Sequence, residues 1–320
     1  MLSRSLRSHQ AETLAVVRAI AHGEASGTRD VLAAVTPGGG KSLLPVLAAG
    51  TLIEAGVCER VCWVVPRDSL RLQAEEAFAD PGWRAALGHA LSVRAAENAP
   101  DPCRGLAGYV TTYQGVAAAP DLHLAEFRRR RYLLVVDEVH HLPALGANDN
   151  AAAPDDAAGW SRAIEPLLAL ASVRLLLSGT LERADGRRIL GLPYRRAAGG
   201  REEVDLGAPG LAVVGYSRAR ALAERAVLPV SFGALDGEAS WLGPEGETGE
   251  RPHLGPHRLR AVAPNEATRP ALFTALRTGF AEALLRRAFE ATRRTRAERR
   301  GLLGAAPGEA ARGLGKLLVV

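Results

Sequence analysis

Continuous apolar runs alternate with segments of helical periodicity from the start of the chain to about residue 205. A continuous run is typical of a parallel strand that is buried on both faces, and the helical segments supply the crossovers that parallel strands need. We predict strands at residues 31–35, 61–65, 109–111, 133–137 and 174–178. The pattern therefore predicts an α/β domain with a parallel sheet flanked by helices.

The helices between these strands have recognisable beginnings. We predict helices at residues 6–20, 42–55 and 69–78. Pro45 is tolerated because it falls in the first turn, and Ser69 is a suitable N-cap. We expect this α/β domain to occupy residues 1–205.

The pattern changes after about residue 207. Residues 227–242 predict strands around a turn at 235–237, and 243–256 are rich in glycine, proline and charge, which predicts a mobile linker. We therefore assign 206–267 to an irregular or β extension with a linker, and 268–320 to a basic helix followed by a strand. Arginines crowd the end of that helix. A solvated face explains them more simply than a nucleic-acid contact does.

Composition narrows the function classes only slightly. The chain is 47% hydrophobic and 23% charged, with a net charge of +5 that tolerates an anionic partner without requiring one. Cys58, Cys62 and Cys103 are too few and too scattered for a zinc site, so we expect core residues in a reducing cytoplasm. No apolar run approaches a membrane span, and the N-terminus has no signal-peptide core. We expect a cytoplasmic protein without membrane contact.

A glycine-rich segment lies between the first predicted strand and the next helix. It consists of Thr36, Pro37, Gly38, Gly39, Gly40, Lys41 and Ser42. Glycines let backbone N–H groups converge on phosphate oxygens, while the helix start favours anionic charge. In this pattern Lys41 reaches the terminal phosphates and Ser42 binds Mg²⁺. Val35 stands where the pattern usually has its first glycine, and a glycine-rich turn with an incidental lysine is the alternative. The segment predicts a site for ATP and Mg²⁺.

An acidic pair ends the fourth predicted strand. Asp137 and Glu138 would lie at the carboxyl edge of the sheet, where open α/β sheets bind ligands. We expect Asp137 to hold Mg²⁺ through water, and Glu138 to deprotonate the water that attacks the terminal phosphate. With Lys41 they form the predicted catalytic set. A zinc site at His140 and His141 is disfavoured, because adjacent histidines point in different directions.

These segments resemble the motifs of superfamily 2 helicases with a DExH box. Residues 36–42 resemble motif I, and residues 137–140 resemble motif II. Residues 178–180 resemble motif III, which in the family couples hydrolysis to nucleic-acid binding. The resemblance implies this coupling role for Ser178, Gly179, Thr180 and His140. Residues 6–10 resemble the Leu-Arg-x-x-Gln element, whose glutamine reads the adenine edge, a role that falls to Gln10.

Two more segments, residues 65–70 with Gln73 and residues 110–114, resemble motifs Ia and Ib. In the family these line the groove for one nucleic-acid strand. Thr111 and Thr112 carry small hydroxyl donors suited to phosphate oxygens whatever the base, and Arg67 adds a charge-assisted contact. Ordinary loop capping is the alternative for each residue. The resemblance implies a nucleic-acid partner, and we expect DNA rather than RNA.

The resemblance is closest to the restriction-enzyme-type DEAD/DEAH-box helicases and covers residues 1–205. It implies a RecA-like P-loop NTPase domain, followed here by a mixed or helical extension. The family also has a second RecA-like domain, whose motif VI supplies arginine fingers. The chain contains no Gln-x-x-Gly-Arg-x-x-Arg pattern, and residues 317–320 match at best the first strand of that second domain. Losing an arginine finger costs about 10³ to 10⁵ in turnover.

Three hypotheses follow. The leading one is a motor domain that hydrolyses ATP in response to nucleic acid, weakly on its own, with a second polypeptide as a further partner. The first alternative is an ATP-binding interaction module or an inactive helicase fragment without productive turnover. A small-molecule P-loop kinase is the second alternative, and the DExH box and motif III disfavour it.

Overall fold

The computed structural model describes residues 5–146, 156–197, 199–227, 239–242, 248–251, 285–287, 289–294 and 297. The helices are α1 Ser8–Ala21, α2 Leu44–Glu54, α3 Ser69–Ala79, α4 Pro81–Leu87, α5 Tyr113–Ala118, α6 Pro120–Arg129, α7 Asp156–Leu170 and α8 Arg218–Ala223. The strands are β1 Asp30–Val35, β2 Arg60–Val65, β3 Val93–Ala95, β4 Gly108–Thr112, β5 Tyr132–Asp137, β6 Val173–Ser178, β7 Tyr194–Arg196, β8 Glu202–Val204, β9 Leu211–Tyr216, β10 Ala239–Leu242 and β11 Thr248–Arg251.

Seven strands form one sheet in the order β3-β4-β2-β5-β6-β1-β9. Every neighbouring pair in this sheet is parallel. All five strands that the apolar runs predict are present, each within one residue of the predicted bounds at either end. The prediction of a parallel sheet flanked by helices is confirmed.

Successive residues of the central strands bury their side chains on opposite faces of the sheet. Val31, Ala33 and Val35 of β1 join a core cluster with residues of α1 to α4. Leu32 faces the other side and joins a second cluster with residues of α5 to α7. Because both faces are covered, the central strands are continuously apolar, as parallel strands usually are.

The sheet brings the predicted motifs to one edge. The strand β6 lies between β1 and β5, with Ala34 opposite Ser178 and Asp137 opposite Leu177. Motifs I, III and II therefore follow the carboxyl ends of three adjacent strands. Ligands of open α/β sheets bind at this edge.

Two strands of the sheet escaped prediction, and one of them lies beyond residue 205. The strand β3 has only three residues, and β9 is half-exposed at the other edge. The strand β3 has a charged residue in its middle, whereas β9 carries an apolar run at 211–214 that lies beyond the predicted domain boundary. The compact unit that contains the sheet extends over Met1–Val227.

The helix predictions need one correction. The first turn after the glycine-rich segment is a 3-10 helix at Lys41–Leu43, which continues into α2. Helix α3 begins at Ser69 as predicted, but its N-cap is Asp68 and no side chain caps it. Ser69 is therefore not the cap.

The second unit, Leu228–Val320, is described only in short pieces. Strands β10 and β11 pair antiparallel, with Ala239 opposite Arg251. The strand β10 falls in the predicted strand region, whereas β11 lies inside the segment that we expected to be a mobile linker, so that expectation is wrong for Thr248–Arg251. The described residues between 285 and 297 are helical. The predicted turn at 235–237 and the strand at 317–320 lie outside the described residues. Among the residues described, no helix is long and apolar enough to cross a membrane.

Candidate nucleotide-binding site

The glycine-rich segment makes a tight turn that only glycine accommodates. Gly38 and Gly40 have φ angles of 77° and 91°, in the left-handed region that side chains disfavour. At Gly39 an added Cβ would lie 2.6 Å from Cγ1 of Val35 and 2.8 Å from the carbonyl oxygen of Thr36. The glycines therefore let the backbone of this turn pack directly against Val35 and the Thr36 carbonyl.

The start of α1 holds the carbonyl groups of the turn. The Arg7 guanidinium donates hydrogen bonds to the carbonyls of Gly38, at 3.2 Å, and Gly39, at 2.5 Å. The side-chain amide of Gln10 donates to the carbonyl of Gly40 at 3.1 Å. The N–H of Gly39 donates to the Thr36 carbonyl at 2.9 Å. Because the C=O and N–H of a trans peptide point in opposite directions, holding the carbonyls of Gly39 and Gly40 turns the N–H groups of Gly40 and Lys41 the other way. These are the groups that a phosphate needs.

The adenine-reading role of Gln10 stays a prediction. Its side chain is 5% exposed. Its Oε1 accepts the backbone N–H of Arg7 at 2.9 Å, while its amide nitrogen bonds Gly40. Through these hydrogen bonds Gln10 supports the glycine turn. Sequence reasoning gave Arg7 no role, because its partners lie 31 and 32 residues away along the chain.

Lys41 and Glu138 meet across the carboxyl edge of the sheet. The Lys41 ammonium and a Glu138 carboxylate oxygen form a partly buried ion pair. The other carboxylate oxygen accepts the N–H of Gly179 at 3.2 Å. Although burial opposes ionisation, the bond and charge of Lys41 lower the pKa of Glu138 below its usual value. Glu138 is therefore ionised at neutral pH.

Asp137 offers one carboxylate oxygen that has no hydrogen-bond donor among the described residues. Its Oδ1 is buried and accepts no hydrogen bond from the described part of the chain. Burial raises the pKa of Asp137 to about 6, against the opposing charge of Lys41. A carboxylate oxygen without a protein partner suits a hydrated divalent cation, which prefers oxygen ligands. Together with the exposed hydroxyl of Ser42, this oxygen fits the predicted Mg²⁺ site.

Motif III contacts motif II through side chains. The Nδ1 atom of His140 lies 2.9 Å from the hydroxyl oxygen of Ser178. Ser178 Oγ also accepts the N–H of Thr180 at 3.2 Å. Burial lowers the pKa of His140, and the neighbouring His141 adds to this effect. A neutral His140 thus connects the loop at 178–180 to the acidic pair.

The peptide group between Asp137 and Glu138 is held by a side chain from helix α5. The Tyr113 hydroxyl donates a hydrogen bond to the main-chain carbonyl of Asp137. Glu138 itself has a φ of 53°, which is uncommon for a residue with a side chain. The sequence did not predict this hydrogen bond, although Tyr113 lies in the segment 110–114 that resembles motif Ib.

Tyr216, at the end of β9, packs beneath the glycine turn. Its carbonyl accepts the N–H of Thr36 at 3.0 Å, and its ring would lie 3.1 Å from a Cβ at Gly39. The ring of His9 stacks on it with centroids 4.1 Å apart. Burial and the charge of Arg7 lower the pKa of His9 to about 4. Tyr216 and His9 thus form an apolar support behind the turn.

A comparison with protein families identifies the fold around these residues. The sequence profile of the family described as "Type III restriction enzyme, res subunit" matches residues 3–183, which is more than half of the chain. The chain belongs to this family. The sheet and its flanking helices form a RecA-like α/β domain. The matched residues of the chain form the ATP-binding domain of a DExH-type helicase, as the sequence motifs predicted.

Relatives of this helicase domain occur in mycobacteria. "Uncharacterized protein MT2985" from Mycobacterium tuberculosis is 34% identical over 221 residues, covering 68% of this chain and 32% of that protein. "Uncharacterized protein ML1624" from Mycobacterium leprae is 33% identical over 245 residues, covering 77% of this chain and 36% of that protein. The chain spans about a third of the length of these curated relatives.

Two solved structures are similar to part of this chain. The SWI2/SNF2 ATPase core of Sulfolobus solfataricus in complex with dsDNA is 17% identical, with a TM-score of 0.41, covering 57% of this chain and 34% of that one. The UvsW helicase from Bacteriophage T4 is 19% identical, with a TM-score of 0.38, covering 57% of this chain and 54% of that one.

The candidate nucleic-acid contacts of this helicase domain differ in accessibility. Arg67, after β2, is exposed, and Thr112 lies at the partly exposed end of β4. Thr111 is 2% exposed. A phosphate group cannot reach a buried hydroxyl, so we now place Thr111 in the interior and not in the contact. Thr112 is the last residue of the strand, and successive strand residues face opposite sides, which explains why two adjacent threonines have such different surroundings.

Proposed function

We propose that this domain binds ATP with Mg²⁺ and hydrolyses it in response to nucleic acid, as the motor domain of a DExH-type helicase or translocase. The observation that carries the proposal is the meeting of Lys41 and Glu138 beside the glycine turn. At the same edge Asp137 presents a buried oxygen that has no hydrogen-bond partner in the described part of the chain. A cation, a base and a metal-binding oxygen around a phosphate cradle are the parts that phosphoryl transfer to water requires.

Each residue has a defined part in the proposed reaction. Lys41 leaves Glu138 and neutralises the terminal phosphates, while the N–H groups of the glycine turn bind phosphate oxygens. The ionised Glu138, still oriented by the Gly179 N–H, accepts a proton from the attacking water. Asp137 and Ser42 would hold Mg²⁺, which neutralises charge on the phosphate oxygens when it is bound.

The proposed partner is a nucleic-acid strand, with DNA tested first because the matching family is described by a restriction enzyme. Arg67 follows β2 and Thr112 ends β4, and these strands are neighbours in the sheet, so both residues lie at the edge that carries the nucleotide site. They offer a guanidinium and a hydroxyl, which bind phosphate oxygens without reading bases. We also propose that a second RecA-like domain supplies the arginine finger, either within a longer protein or from a second polypeptide.

An ATP-binding interaction module is the second candidate. The ion pair between Lys41 and Glu138 supports it, because ATP would break this contact and so change the conformation around motif II without any hydrolysis. The module and the motor share every nucleotide contact. They differ in whether Glu138 acts as a base.

Steady-state ATP hydrolysis separates the two candidates. The rate is measured for the whole chain alone, with single-stranded DNA and with single-stranded RNA, beside a calorimetric ATP titration. The motor predicts slow basal hydrolysis that single-stranded DNA stimulates. Intact ATP binding with hydrolysis that neither nucleic acid stimulates would favour the module, and absent ATP binding would contradict both.

A further inference from the structure

Tyr113 joins two sites that sequence motifs treat as separate. It is the first residue of α5 and directly follows Thr112, the proposed phosphate contact. Its side chain is fully buried, and its ring lies against Trp160 of α7, with ring centroids 5.7 Å apart. From this enclosed position its hydroxyl reaches the main-chain carbonyl of Asp137.

The carbonyl that Tyr113 binds belongs to the peptide group between the two acidic residues of motif II. A peptide group is planar, so a hydrogen bond to its oxygen fixes the whole unit, including the N–H of Glu138. Glu138 has a φ of 53°, and left-handed backbone at such a residue persists only when its surroundings hold it. The hydrogen bond from Tyr113 therefore helps to set the direction in which the Glu138 side chain leaves the backbone.

The other end of the connection is the N-cap of α5. The hydroxyl oxygen of Thr112 accepts the N–H of Gly115 at 2.9 Å. The carbonyl of Gly115 in turn accepts the side-chain amide of Asn98 at 2.8 Å. A threonine hydroxyl accepts and donates at the same time, so this cap leaves the Thr112 proton available for a phosphate oxygen. A phosphate bound there acts on the residue next to Tyr113.

We infer that Tyr113 is a positioning residue that transmits nucleic-acid binding at the α5 N-cap to the acidic pair of motif II. The inference rests on the proposed function, because it needs a strand at Thr112 and a nucleotide at motif II. The route runs through the Asp137 main chain. Motif III instead contacts the side chains of His140 and Glu138.

The chemistry of the phenol suits a permanent donor. Burial raises the pKa of Tyr113 well above its usual value, and the charges of Asp137 and Glu138 act in the same direction. Tyr113 therefore keeps its proton at neutral pH. Replacing it with phenylalanine removes one hydroxyl and leaves the ring in place.

The test measures coupling between two ligands and needs no turnover. The dissociation constant of a fluorescent single-stranded oligodeoxynucleotide is measured with and without a saturating non-hydrolysable ATP analogue and Mg²⁺. In the natural chain we expect the analogue to change this constant about fivefold or more, within the usual range of allosteric coupling. In Tyr113→Phe the change should fall below about twofold, while the affinity for each ligand alone stays within about twofold.

Tyr132→Phe is the matched control. Tyr132 is another fully buried tyrosine, and its hydroxyl donates to Glu126 of α6, at 3.3 Å, away from motif II. It should keep the coupling of the natural chain. If Tyr113→Phe does not fold, as judged by circular dichroism, Asn98→Ala replaces it, because this variant frees the Gly115 carbonyl at the α5 N-cap and leaves the Thr112 hydroxyl in place, and the same fall in coupling is expected.

The outcomes separate the inference from the proposed function. Coupling that survives in Tyr113→Phe, or oligonucleotide and analogue that bind the natural chain independently, would overturn the role of Tyr113 alone. A natural chain that binds no nucleic acid would overturn the proposed function, and the role of Tyr113 with it. Loss of coupling in Tyr113→Phe and not in Tyr132→Phe would support the inference.

Discussion

The side chains of Lys41 and Glu138, 97 residues apart in the sequence, form an ion pair in front of strand β6. The pair joins the predicted phosphate-binding lysine to the predicted catalytic base. ATP must therefore displace Glu138 from Lys41 before either residue takes its proposed role. Nucleotide binding and the release of Glu138 are one event in this arrangement.

Glu138→Gln should separate binding from hydrolysis. The amide keeps the size of the side chain but cannot accept the proton of water, so hydrolysis should fall by about 10² to 10⁴, the usual contribution of general base catalysis. Affinity for ATP should be unchanged or higher, since Lys41 loses its ionic partner. Calorimetry and a phosphate-release assay measure the two effects. Glu182→Gln, at an exposed ion pair with Arg201, should change neither, and persistent hydrolysis in Glu138→Gln would remove the residue from the mechanism.

Gly39→Ala should damage the phosphate cradle. A Cβ at Gly39 would overlap Val35 and the Thr36 carbonyl, at 2.6 and 2.8 Å, so the turn must shift. We expect a loss of about 1 to 3 kcal/mol in the free energy of unfolding, the usual cost of overpacking, and ATP binding weakened at least about tenfold. Denaturant unfolding and calorimetry measure both. Gly159→Ala is the control, because a Cβ there has no neighbour within 4 Å, and equal behaviour of the two variants would contradict the tight turn.

Arg7→Ala should weaken ATP binding without removing any direct phosphate ligand. The guanidinium holds the carbonyls of Gly38 and Gly39, and hydrogen bonds to a charged group contribute about 1.5 to 3 kcal/mol each. Without them the turn samples other conformations, so we expect about a tenfold loss of affinity, measured by calorimetry. Arg18→Ala, on the same helix, should bind ATP like the natural chain. Unchanged affinity in Arg7→Ala would show that the turn holds itself.

His9→Phe should make the domain less sensitive to acid. His9 is fully buried and stacked on Tyr216, and its ring nitrogens have no partner among the described residues. Its pKa in the fold is about 4, below the ordinary value of 6.5, so the unfolded chain binds a proton first as the pH falls. Stability is thus full above pH 6.5 and is lost progressively as the pH falls towards 4.

The expected size of this effect follows from the shift. At pH 5 the penalty in the natural chain is about 1 to 2 kcal/mol, because each pKa unit corresponds to about 1.4 kcal/mol. Phenylalanine keeps the stacked ring and does not titrate. The difference in unfolding free energy between His9→Phe and the natural chain, measured in urea at pH 7 and pH 5, should therefore move by that amount in favour of the variant. A difference that does not change with pH would contradict a buried neutral histidine.

The sequence was sufficient for the central sheet and for the sheet edge at which the candidate site residues meet. Continuous apolar runs marked β1, β2, β4, β5 and β6, and the glycines and acidic pair marked the edge that they share. The edge strand β3 escaped because it has only three residues, one of them charged, which is too short a pattern to detect. The edge strand β9 escaped although residues 211–214 are apolar, because we expected the domain to end at residue 205.

Contacts between segments that are distant along the chain could not be predicted from the sequence. Nothing local to Arg7 indicates that it holds the glycine turn, and nothing local to Tyr113 indicates its bond to Asp137, 24 residues away. The same limit explains Thr111. Adjacent hydroxyl residues in one motif looked equivalent, and only the packing of β4 decides which of them a ligand can reach.

A calorimetric titration of ATP with Mg²⁺ tests the nucleotide site most directly. It is carried out on the natural chain, on Lys41→Ala and on Asp137→Asn. We predict saturable one-to-one binding to the natural chain, a loss of at least about tenfold in affinity in Lys41→Ala, and in Asp137→Asn a loss confined to titrations that contain Mg²⁺. Equal affinity in the natural chain and Lys41→Ala, or no binding to the natural chain, would contradict a nucleotide site at this edge of the sheet.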